Sequence, residues 1–227
     1  MERIIMPLGA IGANCVVLWE DPAAAWIVDP GAEPEAVNAF LDKKGLTPAL
    51  VLLTHGHFDH IWAAASVARH AACPVYLSVA DDPVLKGSAA MLERLQLEKP
   101  VEPFVYQDMA DGQVLHAGGV DWKVIATPGH SPGSVCYLCA EWGVLLSGDT
   151  LFSGSIGRSD LPGGDYDQLM KSLMDKVMTL PGDTDVLPGH GRPTTIARES
   201  ATNPFLLPFN EPDTAWWDQD GIELEGR

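Results

Sequence analysis

The segment Thr54-His55-Gly56-His57-Phe58-Asp59-His60 puts three histidines and an aspartate into seven residues, directly after the apolar run 49–53. An apolar run of that length reads as a buried strand, and a strand that ends this way delivers polar groups to the rim of a sheet. Histidines at i and i+2 on an extended loop converge on one ion, and the adjacent Asp59-His60 pair faces a second ion beside it. Zinc takes N and O donors of this kind, roughly four per structural site and fewer where water must bind. The run has no packing task, so it reads as a metal loop rather than a merely polar one.

At 227 residues and 24.4 kDa the chain is long enough for one well-buried α/β domain, expected over 1–201 with a C-terminal extension at 202–227. A net charge of −17 argues against nucleic acid and against anionic membrane surfaces, because both need clustered Lys and Arg. Solubility explains that charge. Four cysteines are too few and too scattered for a disulfide framework. Cys136 and Cys139 lie in a run that reads as a strand, where a spacing of three puts them on opposite faces, as buried thiols. The first residues carry no basic region followed by an apolar core, and no stretch approaches a membrane span. A cytoplasmic protein is expected.

Strands are expected at 3–6, 15–19, 26–28, 49–53 and 74–77, then at 104–106, 113–115, 120–126, 134–139, 144–146 and 185–187. Helices are expected at 33–44, with Pro34 in the first turn and Gly45 past the end, and at 61–70, 81–99 and 165–178. Sheet then helices, twice over, implies two sheets packed face to face with helices outside: an α/β fold of the four-layer αββα sandwich type. Aromatics of the tail, Trp216 and Trp217 among them, either pack back on the domain or meet a second subunit in a homo-oligomer.

Three further loops complete a constellation. Thr127-Pro-Gly-His130-Ser-Pro-Gly133, Ser147-Gly-Asp149-Thr150 and Leu187-Pro-Gly-His190-Gly191 each follow an expected strand. Five of the seven histidines thus lie in Gly/Pro-punctuated loops at strand ends, where functional residues concentrate. His70 reads as a cation at a helix C-terminus and His116 as a surface turn residue.

The set His55, His57, Asp59, His60, His130, Asp149 and His190 resembles the binuclear metallo-β-lactamase superfamily, in order and motif for motif, from Asn14 to about Phe205. Asp29-Pro30-Gly31 matches a turn of that superfamily. The nearest likeness within it is to glyoxalase II (hydroxyacylglutathione hydrolase), in particular its short bacterial relatives. The resemblance implies two divalent ions, zinc with iron or manganese as alternatives. One would sit on His55, His57, His130 and Asp149, the other on Asp59, His60, His190 and a bridging Asp149, with Asp29 supporting from behind. It implies a hydroxide shared by the ions as nucleophile, with Asp59 accepting its proton or orienting it.

Other branches fit less well. Secreted β-lactamases carry Cys or Ser where this chain has Asp149, and quorum-signal lactonases carry Tyr where it has Phe152. Nucleic-acid-processing members add a domain or a basic surface. The expected activity is therefore a glyoxalase II-like thioesterase acting on a hydroxyacylglutathione or related small-molecule thioester. The alternative is a persulfide dioxygenase with a single iron on the first-site ligands; its Gly-Arg-Thr-Asp run resembles Gly157-Arg158-Ser159-Asp160, as does that of the short hydrolases. Arg158 falls where the family places a basic contact to the thiol half of the substrate, and Asp160 stands where it places a tyrosine. Tyr166 is expected to be a packed aromatic.

Overall fold

A computed structural model describes residues 1–94 and 101–207. Five strands, β1 (Glu2–Leu8), β2 (Ala13–Trp19), β3 (Ala25–Val28), β4 (Pro48–Leu52) and β5 (Val75–Tyr76), form one sheet in that order. The second sheet has six, β6 (Val114–Ala117), β7 (Val120–Ala126), β8 (Val135–Cys139), β9 (Val144–Gly148), β12 (Asp185–Pro188) and β13 (Thr194–Thr195), in the order β13-β12-β9-β8-β7-β6. A separate hairpin pairs β10 (Leu151–Phe152) with β11 (Ser155–Ile156). The helices are α1 (Pro34–Lys44), α2 (Phe58–Ile61), α3 (Ala64–Ala71), α4 (Asp82–Arg94), α5 (Tyr166–Ser172) and α6 (Ile196–Thr202).

Side-chain alternation explains the layering. Cys15, Val17, Ala25, Ile27 and Val51 turn to one face, where they pack with Val37, Leu41 and Val67 of the helices. Their neighbours Val16, Leu18, Trp26, Leu50 and Leu52 turn to the other and meet Trp122, Val124, Tyr137 and Leu146 of the second sheet. That sheet's far side, with Cys136 and Leu145, packs on Leu169, Leu173 and Ile196. Strands buried on both faces read as continuous apolar runs, and successive residues are divided between two cores. Cys136 and Cys139 accordingly fall in different cores, both buried and free.

Strand direction gathers the loops. β3 and β4 are parallel, with Val28 opposite Leu52, so Asp29 and the metal loop leave the same edge. β9 and β12 are also parallel, with Pro188 opposite Gly148, which sets Asp149 beside Gly189. β7 runs with β9 because both are antiparallel to β8, so the His130 loop emerges there too.

Several expectations are corrected. Residues 61–70 are not one helix: α2 starts at Phe58, inside the metal loop, and α3 follows a break at Trp62-Ala63. Asp59 and His60 therefore ride on a helical turn, while His55 and His57 sit on the loop before it. Residues 104–106 form no strand; Phe104 and Tyr106 pack on the helix-side core and Gln107 bridges to Tyr76. The helix at 165–178 is α5 followed by a wider turn at Leu173–Val177. His116 lies on β6 against Asp121 rather than in a turn. The helix expected to run to residue 99 is described only as far as Arg94, and Trp216 and Trp217 lie outside the described residues. Asn203 and Leu206, at the start of the extension, are buried against the outer core.

Trp122 is fully buried between the sheets, its ring 5.9 Å from Trp26 and 5.8 Å from Trp142. Replacing it with Ala is expected to cost about 3–5 kcal/mol of stability. The urea midpoint should fall accordingly, without a change in slope.

Candidate metal centre

The site starts from a buried carboxylate. Asp29 leaves β3 with φ 49°, in the left-handed region that Asp tolerates better than most residues. There its Oδ1 accepts from Thr54 N at 2.7 Å, and its Oδ2 accepts from Thr54 Oγ1 at 2.6 Å and His60 Nδ1 at 3.0 Å. Gly31 lets this turn lie on α2, since a Cβ there would stand 1.5 Å from the Asp59 carbonyl oxygen.

These bonds assign the ring protons. Thr54 gives its hydroxyl proton to Asp29, so its oxygen accepts from His55 Nδ1 at 3.0 Å. His55 Nε2 then presents a lone pair, and it is buried without a hydrogen-bond partner. His130 Nδ1 donates to the Arg158 carbonyl at 2.7 Å, leaving Nε2 as an acceptor 2.9 Å from His57 Nδ1. His60 Nε2 lies 3.3 Å from His190 Nε2, 3.4 Å from Asp149 Oδ1 and 3.6 Å from Asp59 Oδ2. Asp149 Oδ1 is also buried and unpartnered by hydrogen bonding, while its Oδ2 lies 3.6 Å from His130 Nε2 and 3.7 Å from His190 Nε2. Gly189 permits this approach, because a Cβ there would come 2.2 Å from Asp149 Oδ1.

Unpartnered lone pairs and facing ring nitrogens fit a cation, and three groups of donors have ligand atoms within 4.8 Å of one another: His55–His57–His130, Asp59–His60–His190 and Asp29–His55–His60. Asp29 is already engaged by three donors, which suits it to orienting His60 rather than binding an ion. Burial, then its imidazole neighbours, hold His55 neutral, and burial with His130 pulls His57 down to about 3. Burial also pulls on His60, but Asp149, Asp59 and Asp29 outweigh it and raise the ring to about 10. Asp59 stays ionised: burial raises its carboxyl, and His60 and His190 lower it further, well below the usual range.

Asp81 was not anticipated from sequence. It is fully buried, and its carboxylate accepts from Gly56 N at 2.7 Å, Ser131 Oγ at 2.7 Å and Gly133 N at 2.5 Å. Gly56 lies between His55 and His57, and Ser131 follows His130, so one side chain clamps both loops. Burial raises this carboxyl above its ordinary value, and the three hydrogen bonds oppose that rise. Asn14 ties the remaining loop, donating to the Pro188 and Gly191 carbonyls at 2.9 Å each. Neither residue carries a metal-ligand spacing, so only the folded contacts reveal them.

A cleft of about 660 Å³ opens over the centre. His57, Asp59, His130, Asp149 and His190 lie in its floor, and Ile11, Phe58, Val84, Phe152, Leu161 and Pro162 in its walls. Arg158 is at the rim, where its Nε and Nη2 donate to Asp160 Oδ1 and Oδ2 at 2.7 Å each. That hydrogen-bonded cation lowers the Asp160 carboxyl to about 2, so both partners are charged at neutral pH. Tyr166 is half exposed rather than a packed core aromatic, and it is not among the lining residues of the cleft. His70 ends α3 and pairs with Asp42, away from the site.

Residues 8–190 match the family model described as the metallo-beta-lactamase superfamily. The chain is 42% identical to a probable metallo-hydrolase, YqgX, of Bacillus subtilis (strain 168), over 90% of this chain and 97% of that one. It is 35% identical to hydroxyacylglutathione hydrolase GloC of Haemophilus influenzae, over 91% and 98%. Among solved structures it is similar to TTHA1623 in a di-iron-bound form (TM-score 0.82, 38% identity, 89% of this chain and 100% of that one). It is also similar to BLEG-1 B3 metallo-beta-lactamase (TM-score 0.81, 41% identity, 90% and 99%).

Two outcomes are expected. A raised His60 means the metal-free ring keeps its proton until pH rises through about 10, whereas a ligand must give it up. Metal uptake near pH 7.5 should therefore release protons, and apparent affinity should climb about tenfold per pH unit for each proton lost. Calorimetry in buffers of different ionisation enthalpy measures this; zero proton release would contradict it. Asp81→Asn turns an amide donor toward donors. It should lower stability by about 1–3 kcal/mol and metal affinity about 10–100-fold, read by chemical denaturation and chelator competition.

Proposed function

Since the chain belongs to the metallo-β-lactamase superfamily and is a metal-dependent hydrolase of it, we propose that the bond it cleaves is a thioester, as in glyoxalase II. The observation that carries this reading is a cleft with a His/Asp donor set in its floor and, among the described lining residues, no hydroxyl or thiol free to attack. Ser88, the one hydroxyl among the described lining residues, is spent on the Gly56 and Val84 carbonyls. The three most deeply buried cysteines lie inside the cores. The 35% identity to a hydroxyacylglutathione hydrolase over nearly its whole length supports the thioester.

In this reading His55, His57, His130 and Asp149 would hold one divalent ion, and Asp59, His60, His190 and Asp149 would hold the other. Two such ions, when bound, supply a hydroxide at neutral pH and a Lewis acid for the carbonyl oxygen. The protein supplies the rest. Asp29, Thr54 and the Arg158 carbonyl fix the tautomers of His60, His55 and His130. Asp59, whose carboxyl is held ionised by His60 and His190, would accept a hydrogen bond from that nucleophile and aim it. The apolar walls keep bulk water from the reacting carbonyl. A single-iron persulfide dioxygenase would draw its ligands from His55, His57, His130 and Asp149 and would need no second ion on Asp59, His60 and His190.

Metal-loaded protein is expected to hydrolyse members of a thioester panel that includes S-lactoylglutathione, followed as loss of thioester absorbance, and a chelated sample is not. Asp149→Ala should lower kcat/KM by at least about 100-fold. A β-lactam belongs in the same panel, given the similarity to BLEG-1. Oxygen uptake with a persulfide, alongside inertness to every thioester, would overturn the proposal.

A further inference from the structure

The rim of the cleft bears on which thiol the substrate carries, a question that rests on the thioesterase reading. Arg158 is the only Lys or Arg among the described lining residues. It is therefore the one side chain there able to hold an anionic substrate group by a salt bridge. One of its two forks is occupied: two parallel 2.7 Å bonds to Asp160 use the Nε–Nη2 edge, which pairs bidentately with a carboxylate. The pair carries no net charge, and both members stand at the exposed rim, with side chains 61% and 68% accessible. Arg192, the basic residue just past His190, donates to Ser153 Oγ and does not line the cleft. An incoming carboxylate must either displace Asp160 from that edge or take the remaining Nη1–Nη2 edge of a guanidinium whose charge is already neutralised, against the field of a chain whose net charge is −17. Beyond the rim the walls are hydrocarbon: Ile11, Phe58, Val84, Phe152, Leu161 and Pro162.

We propose that the substrate is a thioester whose thiol half is uncharged and largely apolar, and that the Arg158–Asp160 pair is a selectivity latch against anionic thiols, glutathione included. Asp160 acts through Arg158, as a specificity-determining residue that cancels its charge and fills one of its two forks. Position 160 thus separates this chain from one built to grip a peptide carboxylate with a free arginine.

The test is binding, with non-hydrolysable thioethers that share one alkyl group: S-hexylglutathione, which carries two carboxylates, and the neutral S-hexyl-N-acetylcysteamine. Calorimetry on the metal-loaded full chain is expected to give the neutral thioether at least about tenfold tighter binding. In Asp160→Asn, which frees the guanidinium, the ratio of the two affinities should narrow at least about fivefold through tighter binding of S-hexylglutathione. Adding Arg158→Ala to Asp160→Asn should remove that gain. Wild-type protein that binds S-hexylglutathione equally well or better would overturn the proposal. So would a ratio unmoved by Asp160→Asn, or a neutral thioether that fails to bind. Because nothing is turned over, the ratio stays readable even if no thioester is hydrolysed, an outcome that would count against the thioesterase reading alone.

Discussion

Three hydrogen bonds to Asp29 organise the rest of the centre. They join the ends of two parallel strands, β3 and β4, to the first turn of α2. A carboxylate with almost no solvent exposure is tolerable only when its lone pairs are taken. Thr54 and His60 take them, and in doing so they choose which nitrogen of His55 and of His60 faces the cleft. Register, tautomer and loop path are one constraint here. Asp81 repeats the device on the other side, where it binds the His55–His57 loop to the His130 loop.

The same packing creates an electrostatic demand. Five imidazoles and two carboxylates crowd together, and neutral His55 and His57 face nitrogens with lone pairs turned inward. Asp149 keeps one buried oxygen without a hydrogen-bond donor. With no ion to answer them, the carboxylates hold a proton on His60, which is why that ring is raised while His55 and His57 are lowered. Metal binding at these donors would exchange that proton for the ion's charge, which would link affinity and protonation. The cleft mouth obeys the opposite rule. Among the described lining residues the only Lys or Arg, Arg158, is neutralised by Asp160, and attraction for charge ends at the floor.

Much of this was legible in the residues. β7 occupies the residues expected of it, and most other strands lie within two residues of their expected bounds, because alternation over a doubly covered sheet leaves unbroken apolar runs. The four loops that bear histidines or Asp149 were visible from Gly and Pro at strand ends. What failed shares a cause. Phe104 and Tyr106 look like strand residues but spend their aromatic faces on the helix-side core. The β10–β11 hairpin, β13 and α6 are too short to show a period, and the buried carboxylate of Glu199 helps hold them, binding Gly154 N, Thr194 Oγ1 and Asn203 Nδ2. Asp81 sits at the entrance to a helix, where an acidic residue needs no special explanation.

The sequence by itself determined the layered α/β architecture, the family and the set of side chains at the sheet edge, because apolar alternation and donor spacing are local properties of a chain. Only the tertiary structure decided which nitrogen each histidine presents, that Asp81 clamps two loops, and that Asn14 ties the His190 loop. Hydrogen-bond pairing is settled between residues brought together by folding: Asp81 lies 50 residues from Ser131, and Asp29 lies 25 from Thr54. No local pattern records which of several possible partners a buried polar group will find.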